Sequence, residues 1–185
     1  RWGSTQGPGP SRLRTRGDTK SETDVPVCDL GPQIDAIQFK KIMGYIEKGK
    51  AEGAKCLLGG ERLGDKGYYV APTIFSAVED SMTIAKEEIF GPVITLQRFS
   101  NEEDAIALAN ASNYGLAATI WTQDLARAHR VASKVESGIA WINCWLVRDL
   151  RTPFGGVKAS GVGREGGFEA LRFFTEPQNV CIPTR

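Results

Sequence analysis

Lys86-Glu87-Glu88-Ile89-Phe90-Gly91-Pro92-Val93 sets carboxylates beside an aromatic ring where an apolar strand is about to begin. A carboxylate so placed can accept two hydrogen bonds from the vicinal hydroxyls of a ribose, with the ring as an apolar wall. A charged turn ended by Gly91-Pro92 is the plainer account of the same residues, since acidic residues at surface turns are ordinary.

A second cluster runs from Trp141 to Gly156 and interleaves Trp145 and Phe154 with Arg148 and Arg151. It follows the C-terminal end of an expected parallel strand, the edge where open α/β sheets place ligand-contacting loops. The aromatics could wall a pocket and the arginines could hold a substrate carboxylate by paired hydrogen bonds. Core aromatics, with both arginines paired to Asp149 or to solvent, fit equally well.

A third, Gly161-Val162-Gly163-Arg164-Glu165-Gly166, matches the G-x-G-x-x-G spacing of dinucleotide-binding turns. That fingerprint should directly follow an apolar strand, yet Lys158-Ala159-Ser160 precedes it and no acidic residue closes a second strand about 20 positions on. A tight loop that lets chain segments cross is the preferred reading.

Cys28, Cys56, Cys144 and Cys181 are irregularly spaced, and His129 is the one histidine, so no metal site is expected. Reduced thiols in the cytoplasm fit a chain of 185 residues with room for a core, a mitochondrial matrix being the second choice. A net charge of +1 gives no electrostatic reason to expect nucleic acid. No apolar run approaches the roughly 18 residues of a membrane span, and no membrane partner is expected.

The elements that must carry these clusters are alternating strands and amphipathic helices. Ile34, Ile37, Ile42, Met43 and Ile46 recur mostly at three- and four-residue spacing, which predicts a helix over 33–53. Strands are expected at 56–58 and 68–75. From Pro92 the order reads β-α-β-α-β: strand 93–99, a helix with a capping box at Ser100 and Glu103 and a face of Ala105, Ile106 and Ala109, strand 116–121, helix 125–135, strand 139–143. Strands separated by such helices favour a parallel sheet. A short helix near 168–173 and a last strand near 179–182 complete the chain. Residues 1–27, rich in Gly, Pro, Ser, Thr and Arg, read as a tail unable to bury enough surface to order itself. Their Gly7-Pro8-Gly9-Pro10 run would break the amphipathic helix of a transit peptide.

Leu30-Gly31-Pro32-Gln33-Ile34-Asp35, Lys86 through Pro92, Asn113-Tyr114-Gly115-Leu116-Ala117-Ala118, Pro153-Phe154-Gly155-Gly156 and Ser160 through Glu165 stand in the order and spacing of the aldehyde dehydrogenase superfamily. From Leu30 to Ile182 the chain resembles the C-terminal part of such an enzyme. The resemblance implies an α/β fold with a parallel β-α-β sheet, in a partial catalytic domain over 28–185. It also implies a strand at 173–182 that joins subunits into a homo-oligomer.

By the same resemblance Glu88 and Phe90 touch the nicotinamide ribose and ring of NAD, and Gln38 and Lys41 lie near its adenosine half. Asn143, Trp145, Arg148 and Phe154 line the aldehyde tunnel, and the glycine-rich loop is structural. The family's chemistry is attack of a cysteine thiolate on the aldehyde, hydride transfer to NAD, and hydrolysis of the thioester by water that a glutamate activates. The family's nucleophile lies farther upstream of Glu88 than this chain reaches, so no catalytic residue is assigned and a truncated chain inactive alone is expected. Trp145 through Thr152 resembles the branch acting on muconic semialdehydes, with Arg148 the contact for the substrate's own carboxylate. The alternative is a non-catalytic oligomerisation fragment that binds intact subunits; NADP in place of NAD stays open.

Overall fold

The computed structural model describes residues 30–184. The expected tail and Cys28 lie outside the described residues. Helix α1 (Ala36–Ala51) starts where Asp35 accepts a hydrogen bond from the Gln38 amide at 2.7 Å, and ends with Lys48 and Lys50 in its last turn. Its buried face is Ile42, Ile46 and Gly49, a four- and three-residue spacing, while Ile34 and Ile37 are exposed. The expected apolar stripe therefore begins two turns later than its first isoleucine.

Strands β1 (Lys55–Leu58), β2 (Thr73–Ser76) and β3 (Val93–Thr95) form one sheet in that order, β1 antiparallel and β3 parallel to β2. The expected strand at 68–75 is shortened at its start because Pro72 has no N–H for a ladder, and Val70 makes only an isolated bridge to Arg62. The short helix α2 (Thr83–Lys86) is capped from a distance: Glu52 accepts from the Thr83 amide at 2.7 Å and from its hydroxyl at 2.6 Å. A Cβ at Gly49 would stand 2.8 Å from Ile84 Cδ1, so the absence of a side chain lets α1 and α2 touch. Phe75, Ile42, Ile46, Val70, Met82 and Ile89 meet in the core between these helices and the sheet.

Beyond it come α3 (Glu102–Asn110), β4 (Tyr114–Gly115), β5 (Ala117–Ile120), α4 (Leu125–Ala132), β6 (Ile139–Ile142), β7 (Val157–Lys158) and α5 (Gly167–Phe174). The cap of α3 sits one residue later than expected. Asn101 accepts from the Asp104 amide, and Asp104 accepts from the Ser100 amide, both at 2.8 Å. Asp124 caps α4 through the Arg127 amide.

The single parallel sheet expected from the β-α-β-α-β order is not formed. β5 and β6 pair in parallel, β4 and β7 pair antiparallel, and neither pair joins β3. β3 is only three residues long and spends its ladder on β2. β5 spends its own on β6, and a groove of about 600 Å3 lies along β5 between α3 and α4. The fold is thus α/β with mixed sheets.

The C-terminal expectation also changes. Phe173 and Phe174 are the end of α5, not the beginning of a strand, and residues 175–184 enter no ladder within the described chain.

Candidate functional site

Gln38 and Tyr45, seven residues apart on one face of α1, hold the Glu87–Phe90 segment by its backbone and its first carboxylate. Gln38 Nε2 donates to the carbonyls of Ile89 at 3.2 Å and Phe90 at 2.9 Å. Tyr45 donates its hydroxyl to Glu87 Oε2 at 2.7 Å, and Lys41 Nζ stands 5.8 Å from the Tyr45 ring centroid. The Tyr45 phenol is pushed above its usual range: ionising it would forfeit the bond to Glu87, and burial and the carboxylate charge add to this.

Between these ties Ile89 is buried in the core and Gly91 lies on Ile42, where a Cβ would come within 2.5 Å of Ile42 Cδ1. Phe90 takes a left-handed backbone, φ 59°, which points to a segment over-determined by its surroundings. Its ring is 78% exposed. Glu88 next to it is exposed and makes no hydrogen bond or ion pair among the described residues, so its carboxylate keeps its accepting capacity.

Glu88 borders two open clefts. One, of about 250 Å3, is shared with Ile84, Phe90, Gly91 and Thr95. The other, of about 310 Å3, is shared with Tyr114, Leu116, Glu136 and Ser160. Leu116 and Ser160 also line a third cleft of about 330 Å3 with Phe154, Glu165, Phe173 and Phe174. The carboxylate and aromatic clusters singled out from the sequence therefore share a wall.

In the loop after β6, Asn143 has φ 53° and spends both side-chain atoms on Thr122: Nδ2 donates to its carbonyl at 2.7 Å, Oδ1 accepts from its amide at 2.8 Å. That clasp continues the β5–β6 pairing past its last residue. Trp141 Nε1 donates to the Val147 carbonyl at 2.9 Å and draws the loop back over the strand. Trp145 stays 69% exposed.

The two arginines of this loop part company. Arg151 pairs with Asp149, its Nε 2.9 Å from Oδ1, which leaves that carboxyl below the usual range chiefly because it accepts from the Arg151 side chain. Arg148 instead lies 4.1 Å above the Phe154 ring centroid, with Nη2 3.1 Å from Glu165 Oε1.

The glycine-rich loop brings chain segments together. A Cβ on Gly166, φ 84°, would fall 2.6 Å from the Thr152 carbonyl oxygen, and one on Gly155 2.3 Å from that of Gly163. Of the three glycines in the G-x-G-x-x-G spacing, Gly166 is the one held against carbonyl oxygens, while Gly161 and Gly163 meet none. Cys56 Sγ donates to the Leu58 carbonyl at 3.3 Å, while Cys144 makes no hydrogen bond among the described residues and His129 is exposed on α4. No thiol is paired with a base there.

A family model described as "Aldehyde dehydrogenase family" matches residues 15–180. The chain belongs to the aldehyde dehydrogenase family. The match begins inside the segment read as a tail. This family member is 51% identical over 154 residues to a mitochondrial aldehyde dehydrogenase of Sus scrofa, covering 83% of this chain and 30% of that one. It is 45% identical over 174 residues to a betaine aldehyde dehydrogenase of Cereibacter sphaeroides, covering 93% and 36%. The chain thus spans about a third of the length of these curated relatives. Among solved structures, the NAD+ complex of an aldehyde dehydrogenase from Bacillus cereus is 48% identical, with a TM-score of 0.79 over 80% of this chain and 30% of that one. A Mycobacterium tuberculosis aldehyde dehydrogenase complexed with NAD+ is 44% identical, with a TM-score of 0.78 over 83% and 32%.

The cysteines of this chain do not match the family's intact catalytic-cysteine motif. Tyr45, Leu116 and Glu165 were not expected at the site from the sequence, and Glu87, part of the carboxylate cluster, was given no role of its own. The seven-residue spacing of Gln38 and Tyr45 on an expected helix was the available signal for Tyr45.

Proposed function

We propose that this chain supplies the nicotinamide-ribose contact and the aldehyde-tunnel loop of an NAD-dependent aldehyde dehydrogenase, and that it does no chemistry by itself. The observation that carries the reading is the unpartnered Glu88 carboxylate beside the exposed Phe90 ring, on a segment tied to α1 by Gln38 and Tyr45. An acceptor with both oxygens free suits a pair of vicinal ribose hydroxyls, and the ring suits the nicotinamide. Gln38 serves in this reading by holding Phe90, and Lys41 is the exposed cation beside it. In the whole protein a thiolate would add to the aldehyde, and the cofactor would take up the hydride.

Fusion to the upstream two-thirds of a homologous enzyme tests this. The joined protein is expected to form NADH from NAD and an aldehyde, and the 185 residues alone to form none. Glu88→Ala in the fusion is expected to raise KM for NAD about tenfold, the loss of one or two hydrogen bonds to a desolvated ligand. Unchanged KM for NAD would sink the assignment of Glu88.

For the substrate we propose a semialdehyde that carries its own carboxylate, met by Arg148. Support comes from the guanidinium standing over Phe154 beside an apolar cleft. Replacing Arg148 with Ala should raise KM far more for the carboxylated aldehyde than for hexanal; equal effects would count against it. A second reading is a non-catalytic fragment that binds intact subunits, favoured by the exposed Phe173, Phe174, Val180 and Ile182 and by residues 175–184 entering no ladder. Co-purification with a full-length homologue would support it, and monomeric behaviour in the mixture would not.

A further inference from the structure

Arg148, Phe154 and Glu165 form a closed unit. Phe154 and Glu165 exchange both backbone hydrogen bonds, amide to carbonyl in each direction at 2.7 Å. This isolated bridge fixes the Glu165 backbone beside the ring on which the Arg148 guanidinium rests. The Glu165 carboxylate then reaches back to Arg148 Nη2 at 3.1 Å, through a single contact. A guanidinium presents its other N–H donors in a rigid fork, and among the described residues none of these has an acceptor.

From this geometry we infer that Glu165 is the internal competitor for Arg148: it occupies one tine of the fork when no substrate is present and sets how strongly a ligand carboxylate is held there. The inference rests on the reading of Arg148 as the carboxylate contact. A ligand carboxylate that takes the fork bidentately must share Nη2 with Glu165 or displace it, and in either case it approaches a like charge whose backbone cannot retreat. Glu165 thus lowers affinity for anions at this position and leaves neutral ligands unaffected. It is a specificity-determining residue that acts through Arg148. Arg164, the next cation along the loop, cannot substitute, because its Nη1 is turned inward onto the carbonyls of Gly156 at 2.7 Å and Gly163 at 2.8 Å.

The test is binding of hexanoate and of hexanol to the 185-residue chain, followed by NMR at fixed low ionic strength, in wild type, Glu165→Gln and Arg148→Met. Circular dichroism checks that each variant keeps its fold, and Glu165→Ala, which also removes the charge, serves should the glutamine variant fail to. Glu165→Gln is expected to tighten hexanoate about three- to fivefold, the worth of one exposed charge pair, and to leave hexanol unchanged. Arg148→Met is expected to abolish the preference for hexanoate. If Arg148→Met abolishes it but Glu165→Gln leaves hexanoate affinity unchanged, the competitor role is overturned and the carboxylate reading survives. If hexanoate binds wild type and Arg148→Met alike, or binds none of the proteins, the carboxylate reading fails and the inference with it. Tightening of both ligands in Glu165→Gln would also overturn it, as a loosened loop rather than a relieved competition.

Discussion

Up to Phe99 the chain buries Ile42, Ile46, Phe75, Met82, Ile84 and Ile89 around one core, whereas beyond Phe99 Ala128 is the one buried apolar side chain among the described residues. The later region does not lack apolar residues: Trp121, Leu125, Trp145, Leu150, Phe168 and Phe174 are all more than two-thirds exposed. What it lacks is a layer to put them against. In the first region α1 and α2 close over β2; in the second, α3 buries no residue and α4 one, and the groove of about 600 Å3 between them stays open. Amphipathic patterning specifies which face of an element is apolar but not whether the same polypeptide covers it.

Substitutions at the two kinds of aromatic give the largest expected contrast. Phe75→Ala, at a fully buried ring, should cost about 3–5 kcal/mol of unfolding free energy in urea. Trp121→Ala removes a larger side chain that is 69% exposed, and should change stability by less than about 0.5 kcal/mol. Similar losses for both would mean that Trp121 is covered in solution.

The same contrast explains what could be read from the sequence. The helices at 36–51, 102–110, 125–132 and 167–174 and the strand sites near 55, 93, 117 and 139 were legible, because periodicity and cap residues are local signals. The pairing of strands was not, because it depends on which edges find partners. β3 and β5 each use one edge, on β2 and β6, and no local feature of Val93–Thr95 or Ala117–Ile120 announces that they stay apart. At the site, residue types marked out a carboxylate–aromatic cluster and an arginine–aromatic loop, and the family resemblance chose Glu88, Phe90, Arg148 and Phe154 within them, whereas Glu165 became visible only as the far end of a backbone bridge to Phe154.

If the second region is not held by a core, its polar ties should carry more weight. Lys158 is its hub: Nζ donates to the carbonyls of Asn110 at 2.8 Å and Ser112 at 3.0 Å and pairs with Glu136 at 2.6 Å, joining β7 to the end of α3 and to the turn before β6. Its side chain is 24% exposed, so these bonds are partly shielded from water. Lys158→Met should cost about 1.5–3 kcal/mol, the range for hydrogen bonds to a charged group. The loss of amide protection should concentrate between residues 110 and 158 and spare α1. Uniform loss across the chain would mean that the two regions unfold as one unit.

Acid should separate the regions least strongly but most cleanly. Glu102 accepts from Arg130 through both oxygens at 2.7 Å and its carboxyl lies below the usual range, first because of that side-chain bond and then through the charges of Arg130 and Arg127. The Asp124 carboxyl is lowered mainly by the Arg127 amide, and that of Asp149 by the Arg151 side chain, so among the described residues three lowered carboxyls sit beyond Phe99. Before it, among the described residues, there is Glu52, lowered by its bonds from Thr83. For each, the folded value is below the unfolded one, so its contribution is present at neutral pH and disappears as pH falls through and below the ordinary carboxylate range. Hydrogen exchange at decreasing pH should therefore show α3 and α4 losing protection before α1. Glu102→Gln should loosen α3 against α4 already at neutral pH and flatten the acid response of those helices, because the titrating partner of Arg130 is gone. An acid response that persists unchanged in Glu102→Gln would place the sensitivity elsewhere, and first loss at α1 would reverse the assignment of the polar-held region altogether.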